Sequence, residues 1–295
     1  MKVLVTGASG FLGRYVLAAL DHRGIATVEA GRHRPLDLGE RAFIEMDLLA
    51  ATGLDAQVQA SGATHLLHLA WYVEHGRYWT SPLNPQWAEA TRRLVEACSK
   101  AGFQGMVLAG TCAEYDWSHG TCREDATPLN PSTLYGTCKD AARRAAMAIC
   151  AQQQIPCAWG RVFLPFGAGE NPHRFIPALM DVFRGRRLPF GIDAPAARDF
   201  LHASDVAEGF LTLLVEQAAG DYNICSGSPV QVGFLACELA RLLDADPTAV
   251  LDLSGGRVGD PPLLVGDNRK LHSLGWRPLL TLQQGLARTL QEVVA

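Results

Sequence analysis

Two residues four positions apart, Tyr135 and Lys139, form a pair suited to proton transfer. They begin an Ala-rich run of helical character, so both side chains project from one face of a helix. An ammonium beside a phenol favours the phenolate, so we expect the pKa of Tyr135 to fall from its usual value of about 10 toward working pH. Tyr135 could then exchange a proton with a substrate hydroxyl or carbonyl while a hydride moves to or from a nicotinamide.

A hydroxyl that could orient the reacting oxygen lies upstream, in the segment AGTCAEYDW at residues 109–117. Thr111 follows a predicted strand at residues 106–109, and its hydroxyl can hydrogen-bond the oxygen that Tyr135 protonates. Cys112 and Cys138 adjoin these residues, but nothing near them in sequence argues for a lowered thiol pKa. We interpret them as small core residues.

These groups need an element that presents a cofactor, and the first twenty residues predict one. Lys2–Thr6 reads as a short buried strand, and Gly7, Gly10 and Gly13 follow before an apolar pattern of helical period. A strand, a glycine turn and a helix N-terminus together can bind a pyrophosphate through free backbone N–H groups. A plain tight turn is the alternative.

The second predicted strand, residues 26–30, bears on the choice of cofactor. In dinucleotide folds a carboxylate about twenty residues past the glycine turn binds the adenosine ribose, whereas an arginine there favours the extra phosphate of NADP. Gly31 stands at that place and Arg32 follows it. The sequence therefore favours NADP(H), with NAD(H) possible because Glu29 is a rival carboxylate.

Two further strands are predicted at residues 42–46 and 64–69. Asp47 ends the first, where it could accept a hydrogen bond from the adenine amino group or cap the next helix. Ala70 ends the second, and His68 within it is interpreted as a hydrogen-bonded core histidine.

Residues 71–87 are rich in aromatic side chains and prolines, beginning with Trp71. A segment that follows a parallel strand lies where open α/β sheets bind ligands. It could line a substrate site, or its rings could simply cover the core.

Composition limits the alternatives. The chain has 295 residues, 48% of them hydrophobic, and a formal net charge of −4. This balance does not favour a nucleic-acid or anionic-membrane surface, and no apolar run reaches membrane-spanning length. The eight cysteines lack the spacing of a zinc site, and we expect neither a metal nor disulfides. We expect a cytoplasmic protein.

The chain resembles the extended short-chain dehydrogenase/reductase family, and more narrowly its nucleotide-sugar epimerases, dehydratases and reductases. The motifs that carry the resemblance span nearly the whole chain in order: TGASGFLG at 6–13, HLA at 68–70, Thr111 with Tyr115, YGTCK at 135–139, RVFLPFG at 161–167, RDFLHASDVA at 198–207, YNICSG at 222–227 and LGWRP at 274–278.

The resemblance implies a Rossmann-type doubly wound parallel sheet in an α/β protein, with a smaller C-terminal substrate lobe. Residues 1–164 and 200–222 would form the dinucleotide-binding domain, and residues 165–199 and 223–295 the nucleotide-sugar lobe. Thr111, Tyr135 and Lys139 would be the catalytic set. The family commonly forms homodimers. The implied cofactor-binding residues are Gly7, Ser9, Gly10, Phe11, Leu12, Gly13, Arg32, Asp47, Leu48, Leu69, Ala70, Tyr135 and Lys139.

The resemblance also implies substrate-binding residues. Arg198 and Arg257 would grip the substrate diphosphate, as guanidinium groups match phosphate oxygens in bidentate fashion. Trp71, Thr111 and Cys112 would lie against the sugar. For Arg198 a salt bridge to Asp199 or Asp205 remains the alternative.

Departures from the family pattern narrow the reaction. The 4,6-dehydratases carry an Asp-Glu pair after the catalytic Thr, whereas this chain has Cys112 and Ala113. Enzymes that epimerise beside a ketone use a Cys two residues past the Ser/Thr, where this chain has Ala113, and a downstream His, which only His173 approximates. Both activities are therefore disfavoured.

What remains is reduction of a sugar ketone or epimerisation at carbon 4. Arg32 after Gly31 favours an NADPH-dependent reductase of a nucleotide-linked deoxy sugar, with carbon 4 as the expected keto position. An NAD-dependent nucleotide-sugar 4-epimerase is the alternative, although Leu164 replaces an Asn common in epimerases. A non-catalytic NADP-binding protein of the same fold is a third hypothesis, and the presence of Tyr135 and Lys139 argues against it.

Overall fold

A computed structural model of the protein describes residues 1–34, 41–50, 52–256 and 259–294. The strands are β1 Lys2–Thr6, β2 Ala26–Gly31, β3 Ala42–Glu45, β4 His65–His68, β5 Gly105–Thr111, β6 Thr121–Cys122, β7 Cys157–Val162, β8 Leu164–Phe166, β9 Ala197–Arg198, β10 Phe200–His202, β11 Gly220–Ile224, β12 Val230–Gln231 and β13 Leu263–Gly266. The helices are α1 Phe11–His22, α2 Leu54–Ser61, α3 Asn84–Lys100, α4 Leu134–Gln152, α5 Phe175–Phe183, α6 Ala203–Val215, α7 Val232–Leu242, α8 Thr248–Leu251, α9 Arg269–His272 and α10 Leu282–Val294.

Seven of these strands form one sheet in the order β3-β2-β1-β4-β5-β7-β11, and every neighbouring pair is parallel. The central strands are apolar because helices cover both faces of the sheet. This architecture confirms the predicted α/β class and the Rossmann-type doubly wound sheet.

The strand order reverses between β1 and β4, which lie side by side with Val3 opposite His65. From this point the chain builds β2 and β3 to one side and β5, β7 and β11 to the other. The crevice at the carboxyl ends of β1 and β4 is therefore the topological switch point, where doubly wound sheets bind their ligands.

The described residues form four apolar clusters, of which three are large. One lies between the sheet and the α2, α3 and α4 layer, and a second lies on the opposite face under α1 and α6. A third cluster joins α5, α7, α8 and α10 with residues such as Phe166 and Phe200. This third core stands beside the sheet and supports the smaller strands.

The smaller strands form two further sheets. Strands β8 and β10 pair in parallel, and β12, β9, β13 and β6 form a four-stranded sheet in that order. Across the described ranges, no helix combines the length and apolarity needed to cross a membrane.

Candidate active site

The glycine turn between β1 and α1 is packed so closely that side chains cannot enter it. Gly7 has a φ of +73°, and a Cβ there would lie 2.7 Å from the backbone nitrogen of Ala70. A Cβ on Gly13 would lie 2.2 Å from the carbonyl oxygen of Gly7. Gly10 is the N-cap of α1 and no side chain caps the helix, so its first N–H groups remain available to an anion.

The predicted cofactor positions all follow strands β1 to β4 or lie on α4. They are Gly7, Ser9, Gly10, Phe11, Leu12 and Gly13 after β1, Arg32 after β2, Asp47 and Leu48 after β3, Leu69 and Ala70 after β4, and Tyr135 and Lys139 on α4. Because the carboxyl ends of parallel strands share one edge, the first eleven of these positions line one edge of the sheet. This edge and the uncapped turn fit a dinucleotide.

Among the described residues, the end of β2 offers a dinucleotide an exposed arginine, and its carboxylate Glu29 is already engaged. Arg32 is exposed and follows Gly31 directly. Glu29 is 2% exposed, and its carboxylate lies 3.5 Å from the guanidinium of Arg41, so the rival carboxylate is engaged within the protein. Asp47 accepts a hydrogen bond from the backbone N–H of Leu49 at 3.0 Å, the local contact expected of a turn or cap.

Thr111 and Tyr135 meet at the end of β5. Thr111 is the last residue of β5, and Tyr135 lies in the first turn of α4, whose N-cap Thr133 accepts from the N–H of Gly136. Both residues are buried. The Thr111 side chain lies close enough to the phenol of Tyr135 to lower its pKa, which partly offsets the rise caused by burial. The structure thus brings together two of the three predicted catalytic groups.

The expected lowering of the phenol pKa is wrong. Burial raises the pKa of Tyr135 well above its ordinary value, and the nearby Tyr78 and Glu114 raise it further. The reason is that residues 71–87, the aromatic segment, exclude the water that would stabilise a phenolate. Tyr135 therefore holds its proton.

Lys139 lies one turn along the same face and is 3% exposed. Its ammonium donates to the carbonyl oxygen of Ala109 at 2.8 Å and stands 4.1 Å from the ring centroid of Trp71. Burial lowers the pKa of Lys139 to about 7, and the charge of Glu114 opposes that fall. Lys139 is thus poised between its charged and neutral forms near neutral pH.

The aromatic segment forms a wall around Tyr135. The ring centroids of Tyr78, Trp79 and Trp71 lie 4.9, 5.8 and 6.3 Å from that of Tyr135. The backbone N–H of Tyr135 donates to the carbonyl oxygen of Trp79 at 3.1 Å. Of the two alternatives left open by the sequence, the rings both line the site and cover part of the core, since Trp71 also donates to Asn84 at 2.9 Å.

The remaining predicted substrate residues differ in placement. Cys112 is buried next to Thr111, and burial raises its thiol pKa. Arg198, in β9, donates to the carbonyl oxygen of Ala197 at 2.9 Å, and its guanidinium lies 3.9 Å from Asp260. The alternative of a salt bridge to Asp199 or Asp205 is wrong, because both carboxylates accept from backbone N–H groups instead. Arg257 lies outside the described residues.

Sequence reasoning missed a buried carboxylate beneath Thr111. Glu114 is 0% exposed and accepts from the backbone N–H of Thr111 at 2.9 Å. Its other partners are the indole of Trp159 and the guanidinium of Arg161. The signal was present, because Thr111 and Glu114 have the T-x-x-E spacing of a capping box.

Comparisons with known proteins agree with this geometry. The profile of the NAD dependent epimerase/dehydratase family matches residues 3–225. The solved structure of MoeE5 in complex with UDP-glucuronic acid and NAD is 30% identical, with a TM-score of 0.87 over 100% of this chain and 99% of that one.

Two curated relatives match almost the whole chain. GDP-6-deoxy-D-mannose reductase of Pseudomonas aeruginosa is 27% identical over 99% of this chain and 96% of its own length. A trifunctional UDP-glucose 4,6-dehydratase/UDP-4-keto-6-deoxy-D-glucose 3,5-epimerase/UDP-4-keto-L-rhamnose-reductase of Arabidopsis thaliana is 24% identical over 98% of this chain. The chain spans 46% of the length of that plant protein.

Proposed function

The chain belongs to the NAD dependent epimerase/dehydratase family, and from this membership we propose that it reduces a keto group at carbon 4 of a nucleotide-linked deoxy sugar with NADPH. The membership confirms the resemblance to the extended short-chain dehydrogenase/reductases. The reaction, the cofactor and the residue roles are our inference from the site.

The observation that carries the proposal is the placement of Thr111, the last residue of β5, beside Tyr135 in the first turn of α4, with Lys139 one turn further along. Reduction of a ketone needs an acid that gives a proton to the carbonyl oxygen, and a neutral phenol carries such a proton. NADPH, when bound, supplies the hydride. Thr111 orients the carbonyl oxygen, Tyr135 protonates it, and Lys139 holds the cofactor ribose and supplies positive charge beside the phenol.

Loss of water from the sugar, as in a dehydratase, lacks its catalysts here. Cys112 and Ala113 occupy the two positions after Thr111, and the raised pKa of the Cys112 thiol makes it a poor base. Glu114 is the nearby carboxylate of this segment, but it is fully buried against Arg161. A carboxylate held in this way is not available to a substrate.

The end of β2 supports NADPH over NADH. A 2′-phosphate needs a cation and no competing carboxylate, and Arg32 is exposed while Glu29 is paired with Arg41. The reductase of Pseudomonas aeruginosa, which matches nearly end to end, is consistent with reduction of a deoxy sugar.

The substrate is proposed to lie between the sheet and the smaller lobe, with residues 1–164 and 200–222 as the cofactor domain and residues 165–199 and 223–295 as the nucleotide-sugar lobe. Arg198 would contact the diphosphate, because the ion pair that the described residues give it, with Asp260, is as long as 3.9 Å, and its guanidinium can turn to a stronger anion. Arg257 is proposed for the same role from the resemblance alone. A homodimer is likewise proposed from the family.

A second candidate is a nucleotide-sugar 4-epimerase that retains NAD. One specific observation favours it: MoeE5, at 30% identity, was solved with UDP-glucuronic acid and NAD. An epimerase returns its hydride to the same sugar, so it consumes no cofactor overall. A reductase consumes one NADPH for each ketone.

The two candidates are separated by cofactor content and stoichiometry. We would release and identify any nucleotide held by the purified protein, then follow NADPH and NADH oxidation with UDP-, GDP- and dTDP-linked 4-keto-6-deoxy sugars. One NADPH consumed per product alcohol supports the reductase. Tightly retained NAD with interconversion of 4-epimers and no net oxidation overturns it in favour of the epimerase.

Arg32→Ala, with Arg34→Ala as the matched control on the same exposed turn, tests the cofactor assignment. Only Arg32→Ala should raise KM for NADPH, by roughly 10-fold or more, while KM for NADH stays constant. Equal effects of the two variants would contradict the role of Arg32.

A further inference from the structure

The carboxylate of Glu114 is fully buried inside the protein, away from water. It is 0% exposed, and both oxygens are engaged. Oε1 accepts from the backbone N–H of Thr111 and from the indole N–H of Trp159, each at 2.9 Å. Oε2 accepts from Nε of Arg161 at 2.7 Å. A buried carboxylate is stable only when its charge is paired and its lone pairs are filled, and here both conditions are met.

Arg161 links this carboxylate to a second one. Its side chain is 0% exposed, donates to Asp221 at 3.0 Å, and stacks over the ring of Tyr115. Asp221 also pairs with Arg143 of α4 at 3.2 Å. One buried guanidinium therefore stands between two carboxylates, of which only Glu114 contacts the backbone of Thr111.

Thr111 is packed closely and hydrogen-bonded on both sides. A Cβ on Gly110 would lie 2.0 Å from the indole nitrogen of Trp159 and 2.9 Å from Oε1 of Glu114. On the other side, the Thr111 hydroxyl accepts from the N–H of Ala113 at 3.2 Å. Thr111 is thus fixed both through its own N–H and through its side chain.

We propose that Glu114 is a positioning residue for the reaction: its buried carboxylate, by accepting from the backbone N–H of Thr111, holds the Thr111 side chain beside Tyr135. This inference rests on the proposed function, since it assigns a role within the same site.

Charged or titratable groups from several elements face Lys139 and Tyr135. Glu114 raises the pKa of Lys139 and of Tyr135, whereas Arg161 partly neutralises Glu114. On the other sides, His68 of β4 faces Lys139, and Tyr78 and Cys112 face Tyr135. His68 is buried between Thr6 and Thr91, and burial lowers its pKa to about 3, so it adds no charge at neutral pH. Glu114 is consequently the carboxylate whose charge raises the pKa of both Lys139 and Tyr135.

The experiment compares Glu114→Gln with Asp221→Asn. Each variant removes one of the two carboxylates of Arg161 and keeps the shape of the side chain, and the loss of the partly exposed Asp221 should cost less stability than the loss of the fully buried Glu114. Only Glu114→Gln changes the group that holds Thr111. Both proteins would be characterised by urea unfolding, by NADPH affinity from tryptophan fluorescence, and by kcat and KM against pH.

We expect both variants to unfold at lower urea concentration and to bind NADPH as the wild type does. Glu114→Gln should lower kcat by roughly 10-fold or more with little change in KM for the sugar, because positioning of the carbonyl is felt in the transition state. The alkaline limb of its kcat–pH profile should move to lower pH, since Lys139 and Tyr135 each lose a proton more readily without the carboxylate. Asp221→Asn should have the same kcat, and the same alkaline limb of the kcat–pH profile, as the wild type.

Equal kcat values and pH profiles for Glu114→Gln and Asp221→Asn would overturn the proposal, leaving Glu114 a structural residue. If Glu114→Gln fails to fold, Glu114→Gln with Arg161→Met removes both charges of the pair, and the same two outcomes apply. Failure of the proposed function is distinguishable, because the wild type itself would then consume no NADPH.

Discussion

At the scale of single residues, Tyr135 and Lys139 respond to the same burial in opposite ways. Burial keeps the proton on the phenol, and it brings the ammonium pKa to about 7. The pair thus starts as a proton donor beside a cation that is easily neutralised. A protonated phenol suits the reduction of a ketone, in which Tyr135 must give its proton to the carbonyl oxygen.

Tyr135→Phe tests the proton donor. The variant keeps the ring that packs against Tyr78 and Trp79 and removes only the hydroxyl. We expect kcat for ketone reduction to fall by about 10²- to 10⁴-fold, while NADPH affinity by fluorescence titration stays close to that of the wild type. Tyr222→Phe, a buried tyrosine on β11, is the control and should keep its activity. A Tyr135→Phe enzyme of near wild-type rate would remove Tyr135 from the mechanism.

A second residue with an unusual charge state is Glu170, between β8 and α5. Its side chain is 5% exposed, it pairs with Arg174 at 2.8 Å, and its Oε2 is buried without a hydrogen-bond partner among the described residues. Burial raises the pKa of Glu170 to about 7. A raised carboxyl pKa means that folding favours the neutral form, so the stability it contributes is full at low pH and is lost as pH rises through 7.

Glu170→Gln should therefore stabilise the protein at high pH. Between pH 5 and pH 8 we expect the free energy of unfolding of the variant to gain on the wild type by at most about 3 kcal/mol. Urea unfolding of both proteins at the two pH values measures this. A difference that is the same at pH 5 and pH 8 would show that the carboxyl does not titrate in this range.

The residue types of the site could be predicted from the sequence, but the charge states could not. The four-residue spacing places Tyr135 and Lys139 on one face, and this follows from helix geometry alone. The pKa of Tyr135 depends on Tyr78 and Glu114, which no local pattern connects to it. Burial by distant segments is a tertiary property, so the sequence predicted the wrong direction.

At the scale of elements, five of the strands, β1 to β5, were predicted from the sequence to within one or two residues at each end. The predicted strands at 26–30, 42–46 and 64–69 are Ala26–Gly31, Ala42–Glu45 and His65–His68. The largest difference is β5, predicted at 106–109 and observed as Gly105–Thr111. It is longer because β7 pairs with it up to Thr111, opposite Val162. A neighbouring strand thus sets the position of Thr111, and single-strand patterns do not contain that information.

The contact between α4 and the segment after β5 gives an element-scale prediction. A Cβ on Gly136 would lie 2.1 Å from the carbonyl oxygen of Ala113, so Gly136→Ala must push the start of α4 away. We expect a loss of kcat of roughly 10²-fold, because a shift of about 1 Å separates Tyr135 from Thr111. Stability should fall as well, by roughly 1–3 kcal/mol.

Thr137→Ala is the matched control, one residue along on the exposed side of α4. It should leave kcat unchanged. Steady-state kinetics and thermal unfolding of both variants decide the matter, and a Gly136→Ala protein as active as Thr137→Ala would show that this contact does not align the catalytic groups.

At the scale of the whole molecule, the pairing between β6 and β13 could not be predicted from the sequence. Strand β6, Thr121–Cys122, pairs with β13, Leu263–Gly266, so a piece of the predicted cofactor domain is part of the sheet of the predicted lobe. Asn223 strengthens the junction by donating to the carbonyl oxygens of Cys122 and Asp267. Two-residue strands have no pattern of their own and form only when the fold brings their partners near. The two parts of the molecule are therefore joined by backbone pairing as well as by chain crossings.

This junction makes cofactor binding a property of the whole chain. A ligand that binds only the folded state stabilises it by mass action, so NADPH at about 100 times its Kd should add about 2.7 kcal/mol to the free energy of unfolding. Because β6 and β13 tie the lobe to the sheet, we expect one cooperative unfolding transition that shifts as a unit. Differential scanning calorimetry with NADPH, with NADH and with neither measures the shift, and Arg32→Ala should lose most of the difference between NADPH and NADH. Two separate transitions, only one of which moves with NADPH, would mean that the lobe unfolds independently of the sheet.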